Sequence, residues 1–332
     1  MTASVAAGLS GDSGWILTAA TLVVAGLLLA PGWIVGRSAR LAALPSLAVA
    51  PALSSAIIAA AEILAHTLAL PWLPWGWAVI AGLTAVVALM ARLLVGAPPE
   101  RARRAASQSR AEWVILAAGL TVAVAVPAGV ILSVLPGPGY PAQVFDATFH
   151  LNAVAAIREG GNASMLGGLS ALYSGRAVYY PTVWHGLVAL APGSPAPVST
   201  AGVLALTAVV WPLSLLGLFA RAAGLDAARA SETDRVRHRQ RTCAVAVVLA
   251  LSAAVVGFPL LPMTALAVWP YALSVAGLPG VFVLYDLLRQ ETVSWRLRLV
   301  LVLLAMAAAG GVVAAHGTGL FNLAVLSPPF LV

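Results

Sequence analysis

Eight stretches of this chain are apolar and long enough to cross a bilayer. A hydrocarbon core takes about 20 helical residues, and runs of roughly that size, rich in Ala, Leu and Val, fall at 15–36, 43–66, 76–96, 112–135, 197–220, 243–260, 266–288 and 297–315. In lipid every backbone amide needs an internal partner, so such runs fold as helices. The expected fold class is all-α: a polytopic helical membrane protein of about eight spans, carrying on its outer face a loop of juxtamembrane helices. Only 9% of the residues are charged, against about 25% in soluble globular domains, which excludes a soluble enzyme. We read 1–332 as a single membrane domain, with four spans in 15–135, an outer loop at 136–196, and four further spans with an outer tail in 197–332.

The formal charge of +7 would point to nucleic acid in a soluble protein. Here its carriers sit in short loops between spans, so it reports topology and excludes a nucleic-acid partner. With one consistent orientation, sixteen arginines fall on one side and only Arg158 and Arg176 on the other. The positive-inside rule then places the multi-pass protein in the cell membrane with its amino terminus, the 136–196 loop and the 316–332 tail outside. The first fourteen residues lack a basic n-region and are expected to form an exposed tail rather than a cleaved signal. The lone Cys243 supports neither a disulfide framework nor a thiolate metal site. No phosphate-binding glycine loop, metalloprotease motif or internal repeat is present.

Polar chemistry concentrates in 136–196. Asp146 and His150 are four residues apart and would share a face of a helix running from Phe145 to Arg158. A carboxylate at the edge of a low-dielectric cavity serves as a general base or holds a divalent cation against phosphate oxygens. As a plain alternative, Asp146 caps a helix starting near Thr148. Asp146, His150 and His185 form a candidate metal set, although their spacing matches no local metal motif. Arg158 and Arg176 can fork onto a lipid phosphate or snorkel to head groups. His66, His150, His185 and His316 all map to the outer boundary, whereas His238 maps to a basic inner loop. The segment 181–192 is too short to span and is expected as a juxtamembrane helix. Trp72, Trp75, Trp77, Tyr179, Tyr180 and Trp184 are expected to form an aromatic belt. Glu62 and His66 are placed to pair near the outer end of their span, and Asp286 is placed to pair with Arg289.

From about Glu112 to Gly224 the order is a span, an outer loop opening on Phe145-Asp146-Ala147-Thr148-Phe149-His150, a Tyr179-Tyr180-Pro181 juxtamembrane helix, then a span ending Leu218-Phe219-Ala220-Arg221. This order resembles the GT-C superfamily of membrane glycosyltransferases, and the whole chain looks similar to multi-spanning membrane proteins of actinobacteria. The resemblance implies a donor sugar linked to polyprenyl phosphate and an acceptor in the cell envelope, with membrane lipids as surroundings. It casts Asp146 as the catalytic base with His150 beside it, and Arg158, Arg176, Tyr180, His185 and His316 as substrate contacts. Here one aspartate stands where the superfamily often has an acidic pair, and three spans precede the span that leads into the motif, which in the superfamily usually comes first. The run opening at Ser327 is expected to lead into further spans. Two other readings use the same residues: a transporter or flippase of a lipid-linked intermediate, with breaks at Pro212, Pro259, Pro270 and Pro279, and a non-catalytic membrane subunit.

Overall fold

The structure is a computed structural model, and it describes residues 11–96, 108–140, 142–226, 232–290 and 294–326. Residues 1–10 of the tail, the loop arginines Arg101, Arg103, Arg104 and Arg229, and the apolar residues from Ser327 onward lie outside the described residues. All regular structure among the described residues is helical. Four long helices come first: α1 (Gly11–Ser38), α2 (Ala43–Thr67), α3 (Trp72–Val95) and α4 (Arg110–Val134). The capping segment follows, with α5 (Phe145–Gly160) and the short α6 (Val183–Ala189). The next span is α7 (Pro195–Leu204) and α8 (Trp211–Ala222), joined through a wide π-helical turn. After it come α9 (Glu232–Ser252), α10 (Leu261–Thr264), α11 (Trp269–Leu288), α12 (Trp295–Ala315) and α13 (Gly319–Leu326).

Seven of these helical stretches are long and apolar enough to cross a membrane. The helices Thr233–Ser252 and Val256–Thr264 pass the same test only together, bent by 49°, as one broken span or a re-entrant loop. The protein is therefore membrane-embedded, with seven or eight such stretches among the described residues where about eight are expected. The bent pair departs from expectation. Its first helix starts inside the basic stretch read as a solvated connector, so His238 and Thr242 are buried residues of α9. His238 Nε2 lies 3.8 Å from Glu112, which with Ser109 forms the capping box that starts α4.

Helix α2 is the axis of the bundle: 72% of its most apolar stretch is buried inside the protein, against 22% for α3. Lipid is as apolar as leucine, so helices gain little by hiding leucines from it; they associate through close backbone packing and polar glue. Ala48, Ala52 and Ala56 repeat every fourth residue along α2, and glycines of four other helices face this region. A Cβ at Gly32 of α1 would lie 2.8 Å from Ala50 Cα, at Gly217 of α8 2.9 Å from Ala48 Cβ, and at Gly280 of α11 2.7 Å from Val49 Cα. At Gly311 of α12 it would lie 2.8 Å from the Ala56 nitrogen and closer still to the Ala52 carbonyl. Hydroxyls add short polar ties. The Ser54 hydroxyl accepts from the Gly32 amide at 2.9 Å, and that of Ser274 donates to the Val312 carbonyl at 2.8 Å. Helices α4 and α9 pair beside this bundle, with Gly119 against the Ala246 backbone.

Of the glycine pair at 310–311, only Gly311 meets a neighbour; a Cβ at Gly310 would touch nothing within 4 Å. Gly311→Ala should destabilise the protein by about 1–3 kcal/mol through overpacking against α2, and Gly310→Ala should not. Thermal melting in detergent checks this, and equal melting of the two variants would sink it.

Candidate functional site

The end of the bundle that carries α5 and α6 is held together by polar contacts reaching inward from the spans. Glu62, near the end of α2, is buried and accepts a 2.9 Å hydrogen bond from the Thr182 hydroxyl at the start of α6. Its other oxygen has no partner among the described residues and lies against Gly186, where any Cβ would collide with it. The Trp72 indole at the start of α3 donates to the Gly186 carbonyl at 2.8 Å. Arg158 wraps the far end of α6: Nε donates to the Ala189 carbonyl at 3.1 Å, Nη2 to that of Ala191 at 2.6 Å, and Nη1 to that of Gly193. A guanidinium there satisfies carbonyls that a helix end leaves unpaired. Gly161 ends α5 in the left-handed conformation, φ 67°, and its carbonyl accepts from the Trp72 amide at 2.7 Å.

Between α5 and α6, His150 Nδ1 and His185 Nε2 lie 2.9 Å apart, both rings buried. Phe149, Tyr180 and Trp269 enclose them, with ring centroids 5.1–5.6 Å apart for Phe149–Tyr180, His150–Trp269 and Tyr180–His185. With both rings neutral, one proton lies between them. Which ring donates depends on the tautomers of the two imidazoles. Burial holds His150 down to about 4, helped by the nearby His316 and opposed by the Ala267 carbonyl. His185 is driven well below its ordinary value by burial first and by His150 second, against the carbonyls of Pro181 and Thr182. A buried neutral pair is a clasp between helices, beyond the reach of substrate.

Asp146 lies elsewhere. Helix α5 begins at Phe145, with Val144 as an uncapped start, so Asp146 sits in its first turn and is not the expected cap. The buried face of α5 is formed by Ala147, His150, Ala153, Val154 and Ile157. Four residues advance a helix by 400°, so Asp146 stands about 40° from His150 and falls on the rim of that face. Its carboxylate is exposed, without a hydrogen-bond partner among the described residues, and near enough to Tyr180 to help raise that phenol. Tyr180 is pushed up to about 12, chiefly by burial and then by Tyr173 and Asp146, so its hydroxyl keeps its proton. Arg176 is exposed, and among the described residues its side chain has no partner. Two hollows adjoin this turn. One, of about 460 Å³, reaches from Gly139 to Thr148 and Leu151; the other, of about 450 Å³, starts at Val134 and Leu135 where α4 ends, and both are lined by Ala142 and Gln143.

Several expectations are corrected. His150 and His185 converge but Asp146 does not join them, and no group of three or more metal-binding side chains gathers among the described residues. His150 and His185 are too deeply buried to orient substrate, and Arg158 is committed to carbonyls. His316, half-buried, bonds Thr318 at 2.7 Å and meets Tyr271 edge-on at 5.9 Å. Glu62 turns to Thr182 and not to the exposed His66, and Asp286 pairs with Arg221 at 2.6 Å in place of Arg289. Trp72 and Trp184 are buried, with Trp184 against Gly202 and Trp269, whereas Trp75, Trp77 and Tyr179 are exposed as a belt requires. The missed element was the clamp of α6. Its one sequence signal was Glu62, an ionisable residue within a span.

A family model described as a family of unknown function, DUF6541, matches residues 25–332. No curated protein and no solved structure matches the chain.

The clasp makes stability depend on pH. Each folded value lies below the ordinary 6.5, so the unfolded chain takes up protons first: stability is full above about 6.5 and is lost as pH falls toward about 4. For His150 alone the loss amounts to about 3 kcal/mol. Melting of the purified chain should therefore drop steeply between pH 7 and pH 4.5, and the double variant His150→Phe/His185→Phe should flatten that drop. An unchanged slope in the double variant would refute the assignment.

Proposed function

We propose for this chain, which belongs to the DUF6541 family, a glycosyl-transfer function at the outer face of the cell membrane, with Asp146 as base. The observation that carries this reading is the position of the carboxylate. It is exposed in the first turn of a juxtamembrane helix whose neighbours Phe145 and Ala147 line one hollow, and a second hollow, sharing Ala142 and Gln143 with the first, starts where span α4 ends. In the reaction, Asp146 takes the proton of an acceptor hydroxyl, the acceptor oxygen bonds the sugar's anomeric carbon, and the bond from that carbon to phosphate breaks. The products are the glycosylated acceptor and polyprenyl phosphate. Arg176 steadies the departing phosphate through a forked guanidinium contact. The Tyr180 hydroxyl, kept protonated, donates to sugar or acceptor. His150, His185, Glu62 and Arg158 act from behind by holding α5 and α6 still, and His316 lies near enough to His150 to act on it electrostatically.

Flipping of a lipid-linked intermediate is the second reading, supported by the 49° break between Ser252 and Val256. The two part on transfer activity. Asp146→Asn keeps size and fold but removes the proton acceptor, so transfer from a polyprenyl-phosphate sugar by purified protein should fall about 100-fold or more. Arg176→Lys should raise the donor KM with a smaller change in kcat. Full turnover in a well-folded Asp146→Asn protein would remove Asp146 as base, and no transfer by the wild-type protein would leave the flippase reading standing.

The orientation has its own check. In a Cys243→Ala background, a cysteine at exposed Ser174 should react with an impermeant maleimide on intact cells. One at exposed Arg289 should react only after permeabilisation, and the reverse pattern would invert the topology.

A further inference from the structure

At the end of the bundle opposite Asp146, a pocket of about 900 Å³ lies where five segments meet: the α1–α2 turn, the end of α8, the charged start of α9, the end of α11 and the first turns of α12. Three arginines and two aspartates line it. Both carboxylates are engaged by Arg221, whose Nη1 lies 2.6 Å from Asp226 and whose Nε lies 2.6 Å from Asp286. Arg40 and Arg241 are left over. Arg40 is held in the left-handed region at φ 68°, which is strained for a residue with a side chain, and its buried Nε has no acceptor among the described residues. Arg241 reaches over Gly224, where a Cβ would lie 3.6 Å from its Nη1, and among the described residues it too has no acceptor. Leu41, Leu297 and Leu301 give it an apolar side.

We propose that this pocket binds the phosphate of an anionic glycerophospholipid, Arg40 and Arg241 sharing its oxygens and the leucine wall taking the start of an acyl chain. A buried guanidinium nitrogen without an acceptor is costly, and a phosphate oxygen is the partner its planar fork fits best. An apolar wall beside two unpaired cations suits a ligand with a charged head and a hydrocarbon body. The site is independent of the glycosyl-transfer reading, lying at the other end of the spans. It goes beyond the general attraction of arginines to head groups because it asks for one lipid in one place.

The test uses the full chain in neutral detergent with phosphatidylglycerol as probe, followed by native mass spectrometry and thermal shift. We expect saturable one-to-one binding that the Arg40→Gln/Arg241→Gln pair weakens about tenfold or more, whereas Arg289→Gln, exposed at the same end but outside the pocket, stays within about twofold. Should the pair not fold, Arg241→Gln alone carries the expected loss and Arg40→Lys a partial one. Equal weakening by Arg289→Gln, or uptake that never saturates, would reduce the interaction to nonspecific surface charge and overturn the proposal. Inorganic phosphate and glycerol phosphate form a second arm. Complete displacement of the lipid by either at equal concentration would assign the pocket to a soluble phosphate compound and overturn the lipid assignment.

Discussion

Backbone-to-backbone contact along α2 is the constraint on which the rest of the molecule depends. In water a bundle can rely on burying leucine; in lipid that driving force vanishes, and helices hold only where they come close enough for dispersion and hydroxyl-to-carbonyl bonds to act. Gly32, Gly217, Gly280 and Gly311 bring α1, α8, α11 and α12 close to the backbone of α2 on different sides of it. Because four helices share one axis, the level at which α2 ends sets the level of everything that packs on its tip.

That tip presents Glu62. A buried carboxylate with a single described donor is an expensive group to keep inside a bundle, and what it secures is the start of α6. Trp72 holds the middle of α6 and Arg158 its end, so a seven-residue helix too short to be stable alone is fixed at three points. The histidine pair then joins α6 to α5. Asp146 is thus positioned by a chain of contacts none of which it makes itself, and its carboxylate is left exposed.

The two ends of the bundle treat charge differently. At the α5–α6 end Glu62 is joined to a hydroxyl, Arg158 to carbonyls and the two histidines to each other. At the other end, arginines gather around a pocket with two carboxylates between them, leaving a positive excess that only an anion can balance. The division follows the arginine count along the chain, but the choice of which arginines are paired and which are free does not. Arg289 stands next to Asp286 in sequence and does not bond it, while Arg221, 65 residues away, does.

The seven or eight spans, the polar loop between the fourth and fifth, and the short helix near 181–192 were legible from the amino-acid sequence, because hydrocarbon thickness and the demand for internal backbone bonds act on local composition. Exposure inside that loop was not. Asp146 and His150 sit four apart on one helix, yet one faces solvent and the other a sealed ring stack, since 40° of rotation decides the matter where a buried face ends. Arg158 reads as a phosphate ligand until α6 places three carbonyls around it, and Trp184 reads as a belt residue until Gly202 opens a slot for it. Composition along the chain determined how many helices cross and where the polar segment lies. Only the packing of distant helices against one another decided which of its side chains are walls and which remain open to chemistry, because burial is a property of neighbours that sequence proximity does not supply.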